Sequence, residues 1–508
     1  MCGHSILQGP DCACMRNGVP RLSALSENLD IRRINFVLIV MVGVSAVIGI
    51  LAGSIAILNL KMVFYAVVMT NFLMLAYLIL LRSITYGVLL YIYALVFLNL
   101  YWRIILPGRL PDLDVPRLVF IFFWVVFLLE VGLGKRRLLK RTSAEVAMLL
   151  LVVAILVSMV QHNMIFLRRL LNGFAIPYAM FVMTKNIVVN RSEFKRFLLV
   201  ALPLAVYFPM NNIFEKVGLR QLVFPRYIVA DLGAHSQFAQ ERTIGTFLQP
   251  VVTGFAIVCM FLLGLYILTR LRGFVPKIMA VVISLITPVA VFVTYTRSVY
   301  VGFFGAMMIL AVFGDRMRKY AVVIIVAGLL GVMGNWSQVT SENRAQGGLA
   351  TEKTAVSRLV LAQASLRMFA DHPFMGVGFY RFNLERLPYV RQVRSTLLGM
   401  RESWMGKETG QHNQFLLVLT ELGLMGFVPL CLVYYFVIRV LWKARRVHDE
   451  TIDSEFVVVS WAVMAAFIAQ ALFINPTFFE FMNVMPMIPA GIVAGSYQRA
   501  LMGARNTD

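Results

Sequence analysis

Apolar runs of about twenty residues recur along nearly the whole chain, and nothing else in the sequence constrains its fold so strongly. They begin near Phe36, Met62, Tyr86, Leu118, Ala144, Phe174, Phe197, Gly245, Ile278, Ser298, Ala321, Asn413, Phe456 and Phe481. Each is long enough to cross the hydrocarbon core of a bilayer as a helix, which satisfies every backbone hydrogen bond within the segment. Hydrophobic residues make up 60% of the 508 positions and charged residues 14%, more apolar surface than a soluble domain could hide. The expected fold class is therefore an all-α polytopic membrane protein with about 12–14 transmembrane helices. The segments from Phe174 and Phe197 carry Pro177 with Lys185, and Pro203 with Pro209, which mark kinks or breaks. The first run, Phe36 to Leu58, is too long for the apolar core of a signal peptide, so it is expected to remain as a span.

A formal charge of +22 invites a nucleic-acid reading, but Lys and Arg fall in short clusters between apolar runs. Lys135 to Arg141, Arg191 to Arg196, Arg270 to Lys277, Arg316 to Lys319 and Arg439 to Arg446 alternate correctly if both termini are cytoplasmic. No nucleic-acid partner is expected, and membrane lipids are. The expected organisation is a cytoplasmic tail over 1–35, a membrane domain over 36–334, an extracytoplasmic loop over 335–411, further spans over 412–498 and a cytoplasmic tail over 499–508. The loop has too few apolar runs to span and enough aromatics to fold against the membrane. Cys2, Cys12 and Cys14 sit in the N-terminal tail, where a lone Cys-x-Cys is a weak metal signal, and Cys259 and Cys431 lie inside apolar runs.

The residues able to do chemistry gather at the outer ends of spans. His412 and Asn413 stand where the long polar segment turns into a span, so His412 is the best candidate for a general base, and Asn413 suits the cap of the helix that follows. Arg297 occupies a break of a few residues between two apolar runs, in ThrTyrThrArgSer. Arg242 opens the ArgThrIleGlyThrPhe entry to another span. An arginine so close to lipid is costly and usually has an anionic partner, and its planar fork matches phosphate oxygens. Glu421 is an intramembrane carboxylate about two turns into the helix from Asn413, suited to orienting a cation above it. Gly376-Val377-Gly378 reads as a tight turn that brings backbone close to a partner, not as a nucleotide loop. No histidine pair has zinc-ligand spacing, and Asp112-Leu113-Asp114, flanked by prolines and arginines, reads as a solvated turn. No metal and no cofactor are expected.

The ThrTyrThrArgSer turn, the segment 357–382 ending in AspHisProPheMetGlyValGlyPheTyrArgPhe, and HisAsnGlnPheLeu leading into GluLeuGlyLeuMetGly together resemble the shared core of O-antigen ligases and related bacterial surface-polysaccharide polymerases. The likeness covers about Arg242 to Val440. It implies a GT-C-like membrane glycosyltransferase in the bacterial inner membrane, with its active site facing the periplasm. Such an enzyme moves a glycan from undecaprenyl pyrophosphate to a sugar hydroxyl on a lipid-linked or lipid A-core acceptor, without nucleotide sugar or metal. By the same resemblance, Arg242 and Arg297 bind the pyrophosphate and His412 activates the acceptor. Asn413, Gly376, Gly378 and Arg381 stand in the matching motifs and are expected to help bind substrate, with Glu421 in support.

Ligase and polymerase remain open, because the arginine-rich loop suits an anionic acceptor core or an acidic growing polymer equally. A transporter or flippase of lipid-linked glycan is the alternative of a different class. Against it, the chain shows no internal repeat, and its informative residues collect at one face.

Overall fold

A computed structural model describes residues 83–98, 103–104, 112–161, 166–230, 242–334, 336, 352–397, 410–447 and 451–505, all within one compact unit, 83–508. The expected tail 1–35 and the spans from Phe36 and Met62 lie outside the described residues, as do His4, His162, His235 and His448. The described part is helical. In chain order it comprises α1 (Thr85–Phe97), α2 (Val115–Gly132), α3 (Ser143–Gln161), α4 (Leu167–Leu170), α5 (Ile176–Ile187), α6 (Arg191–Lys216), α7 (Pro250–Arg270), α8 (Phe274–Phe292), α9 (Arg297–Phe313) and α10 (Arg318–Gly334). It continues with α11 (Glu352–Asp371), α12 (Phe382–Leu397), α13 (Gln414–Ala444), α14 (Ser454–Ala471) and α15 (Glu480–Arg505). The strand pairing among the described residues is one antiparallel ribbon of two residues a side, Arg103–Ile104 with Leu113–Asp114.

Six of these helices, α2, α3, α7, α8, α13 and α14, are long and apolar enough to cross a membrane, and α1 and α9 are shorter apolar helices. The chain is an all-α polytopic membrane protein. Helix α7 is buried almost end to end, enclosed by α6, α8, α9, α14 and α15. By contrast α2, α3, α8 and α10 turn leucines, valines and phenylalanines outward, the pattern of helices whose solvent is lipid.

The segment expected from Phe174 departs from a single helix. It starts at Leu167, passes through a π-helical turn at Leu171–Ala175 and resumes as α5, with Pro177 directly after that turn. Lys185, on the same segment, is buried and paired with Glu145 of α3 at 2.7 Å, and its ammonium also donates to the Lys140 carbonyl. That pairing is what permits a charged residue there. Helix α6 runs unbroken through Pro203 and Pro209.

Helix α13 is interrupted at Gly423, whose φ of 59° and ψ of −154° are open essentially to glycine alone. The break strands backbone groups at the level of a membrane span, and the loop after α11 satisfies them. Val377 and Gly378 N–H donate to the Thr420 and Glu421 carbonyls at 3.0 and 2.9 Å, while Leu424 and Met425 N–H donate to Pro373 and Phe374 at 2.8 and 3.0 Å. The close approach expected of Gly376 is present. A Cβ there would lie 2.4 Å from the Glu421 carbonyl carbon, and one at Gly423 would lie 2.5 Å from that of Phe374. Gly376→Ala and Gly423→Ala should each destabilise the protein by about 1–3 kcal/mol from backbone strain, before any clash. Thermal unfolding in detergent checks this, and wild-type midpoints for both variants would contradict the docking.

The segment expected as an extracytoplasmic loop contains α11 and α12. They share a small core of Val360, Leu361, Ala364, Met368, Phe382, Val390 and Val393 with Leu417 of α13. That core seats the loop against the start of α13, next to His412.

Candidate active site

Arg242 and Arg297 are held by one bonded framework. Glu215, at the end of α6, accepts the N–H groups of Ile244 and Gly245 at 2.7 and 2.9 Å, and so shapes the turn that carries Arg242. Thr243 Oγ1 donates to the Val293 carbonyl at 3.2 Å, tying that turn to the break between α8 and α9. In the break, Thr294 and Thr296 are buried, Tyr295 adopts a φ of 44°, and Arg297 is the first residue of α9. Positive φ is rare for a residue with a side chain, and such strain persists where the surroundings over-determine it.

His412 is set by Gln411, whose Oε1 accepts the His412 N–H at 2.9 Å and whose amide nitrogen donates to Ser365 and to the Leu361 carbonyl of α11. His412 is exposed and lines the cavity described below. The protein packed around it, and next the Arg358 guanidinium, hold its pKa below the ordinary value of 6.5. Both causes favour a neutral imidazole able to accept a proton. Asn413 caps α13, its Oδ1 accepting the Leu416 N–H at 3.0 Å.

These pieces enclose a cavity of about 440 Å³, lined by Arg242, Arg297, His412 and Glu421 together with Arg169 and Arg358. Its aromatic wall is Tyr295, Tyr380, Phe382, Phe473, Phe478 and Phe479, and Gln249, Asn383, Gln411 and Asn475 supply neutral polar groups. Four guanidinium groups thus face one carboxylate. Glu421 is already engaged, 2% exposed and paired with Arg169 at 2.7 Å, and it also accepts the N–H groups of Tyr380 and Phe382. Arg169 in turn donates to Thr477 Oγ1 at 2.9 Å and lies 4.8, 5.4 and 5.6 Å from the ring centres of Phe379, Tyr380 and Phe478. Arg169 is thus the cation paired with Glu421.

The cavity does not gather every residue singled out in the sequence. Asn413 is engaged as a helix cap, Gly376 and Gly378 belong to the backbone docking on α13, and Arg381 lies on the far side of the turn, paired with Glu385. Asp114 caps α2 by accepting the Arg117 N–H at 3.0 Å and pairs with the Arg117 guanidinium, away from the cavity. Among the described residues no group of three or more His, Cys, Asp or Glu is arranged as metal ligands would be.

Two cavity residues, Arg358 and Arg169, carry no motif in the sequence that assigns them a role. Arg358 was one of many loop arginines. Arg169 had a usable signal: Arg168 and Arg169 sit at an expected outer end of a span, where the positive-inside rule leaves basic residues unexplained.

Residues 279–431 match the family model described as O-antigen ligase, Wzy_C. No curated protein matches the chain. The matched segment contains Arg297, Arg358, the Gly376 to Phe382 turn, His412 and Glu421; Arg169 and Arg242 reach the same cavity from outside it. The chain is thus a multi-pass membrane protein, helical throughout its described part apart from a two-residue ribbon, of which residues 279–431 are similar to the O-antigen ligase family.

Proposed function

We propose that the protein transfers a glycan from undecaprenyl pyrophosphate to a sugar hydroxyl on a lipid-linked or lipid A-core acceptor, at the periplasmic face of the bacterial inner membrane. The observation that carries this is the convergence of Arg242, Arg297 and Arg358 with His412 on one cavity, although they come from separate parts of the chain. Arg242, Arg297 and Arg358 all line the cavity, and planar guanidinium forks match the oxygens of a pyrophosphate diester. His412 takes the proton of the acceptor hydroxyl as its oxygen bonds to the anomeric carbon. The bond from that carbon to the phosphate oxygen breaks, and the pyrophosphate leaves with the electron pair, its charge met by Arg242 and Arg297. Attack from the side opposite the leaving group inverts the anomeric centre. Since arginines supply the positive charge, divalent metal is not required.

Reconstitution tests the reading. Purified protein in nanodiscs, given lipid-linked glycan and acceptor glycolipid, should lengthen the acceptor by the glycan's mass and continue to do so in EDTA. Movement of lipid-linked glycan across proteoliposome membranes with no change in the acceptor would favour a transporter. Orientation is tested separately: single cysteines within Lys135 to Arg141 and within Gly347 to Leu349 should be labelled from the cytoplasmic and periplasmic sides respectively. Labelling of both from one side would overturn the placement of the cavity.

A further inference from the structure

The Gly376 to Phe382 turn has two sides. Tyr380 and Phe382 line the cavity described above, whereas Arg381 lines a second one, a groove of about 540 Å³ also bounded by Gln161, His372, Phe374, Glu385 and Tyr389. Phe374 is 73% exposed, yet its own carbonyl and that of Pro373 are bonded into the break of α13, so the ring is displayed on a backbone that is held still. An exposed aromatic on a fixed support offers a flat apolar face at little entropic cost. Around it stand planar polar groups: the Gln161 amide, the Arg381 guanidinium with the Glu385 carboxylate, and the Tyr389 phenol, which donates to Asp371 at 2.8 Å. Planar groups that bond through two atoms suit adjacent hydroxyls, and an aromatic face suits the C–H face of a pyranose.

The groove also has a lipid side. Helix α3 ends at Gln161, and along it Val146, Leu149, Leu150, Val153, Val157 and Val160 form an exposed apolar stripe at helical spacing. Nineteen residues at 1.5 Å each cover about 28 Å, the thickness of a bilayer's hydrocarbon. Gln161 therefore stands at the polar boundary, with a lipid-facing stripe on one side and the groove on the other.

We infer that this groove binds the sugar head of a membrane-anchored glycolipid whose hydrocarbon chains lie along α3. The inference deepens the transfer reading by giving the glycolipid acceptor a site of its own, separated from the cationic cavity by a single turn. The glycan lipid that serves as donor shares the same chemistry, so the test treats the two separately.

The first measurement does not depend on activity. A benzophenone-bearing amino acid at position 374 of the full-length protein in nanodiscs is irradiated with rough lipopolysaccharide, with lipid-linked glycan, or with phosphatidylglycerol alone. Capture of rough lipopolysaccharide, competed by the same glycolipid without label, is expected. Capture of lipid-linked glycan alone, or of phospholipid alone, overturns the assignment. The second measurement is kinetic: Phe374→Ala and Gln161→Ala should raise the apparent KM for the acceptor about tenfold, leaving kcat and the donor KM near wild type. Phe374 is exposed and Gln161 ends its helix, so both variants should fold, and an unchanged acceptor KM in both would refute the site. If the wild-type protein captures rough lipopolysaccharide but transfers nothing, the groove stands and the transfer reading falls.

Discussion

Arg297→Ala should abolish glycan transfer, lowering it by at least about 10²–10³-fold, in membranes that contain as much of the protein as wild type. The reason lies in its position. Arg297 is the first residue of α9, where a cation opposes the helix dipole and costs about 0.3–1 kcal/mol instead of adding stability. It lies on the wall of a cavity shared with three other arginines, at a helix N-terminus that itself favours an anion, and in the proposed reaction that anion is the pyrophosphate. Arg297→Lys keeps the charge but loses the planar fork, and should retain only a small part of the activity. The measurements are transfer from purified lipid-linked glycan and thermal unfolding in the same detergent. Wild-type transfer by Arg297→Ala would remove Arg297 from the reaction.

His412→Ala should lower transfer by about 10²–10⁴-fold, the range for a positioned base. The pH profile says more than the amplitude. In the proposed reaction the working form is the neutral imidazole, so activity should be present above the pKa of His412 and be lost as pH falls through it. Surrounding protein, and next Arg358, hold that pKa below 6.5, so the acid limb should have its midpoint below 6.5. Arg358→Ala removes a like charge, which should move the midpoint upward toward 6.5 whatever it does to the maximum rate. An acid limb unmoved by Arg358→Ala, or absent altogether, would separate His412 from proton transfer. If EDTA abolished transfer, divalent metal restored it and His412→Ala stayed active, the carboxylates Asp112 and Asp114 would replace His412 as the site.

Gly376 and Arg381 show where sequence reading reached and where it stopped. Glycine spacing was enough to expect a backbone approach at Gly376, because few other causes place two glycines around a valine in a short turn. The partner, a helix broken at Gly423, was hidden inside a run whose hydropathy is that of an ordinary span. Arg381 stood next to residues that do line the cavity, yet one step along a turn reverses the direction of a side chain and sends it into the groove.

The sequence by itself determined the membrane class and most of the helix positions among the described residues, and it singled out Arg242, Arg297 and His412 at the edges of apolar runs. Charge and polarity at the edge of a long apolar run are costly enough to be conspicuous without coordinates. Tertiary structure alone decided that these three share a cavity, that Arg358 stands beside His412, and that Glu421 is bound to Arg169, 252 positions earlier in the chain. Helices in a bilayer can pack in many orders with nearly equal hydropathy, so the order is chosen by side-chain fit and by pairing of buried charges. Those terms act between residues far apart in sequence, and one-dimensional pattern carries no record of them.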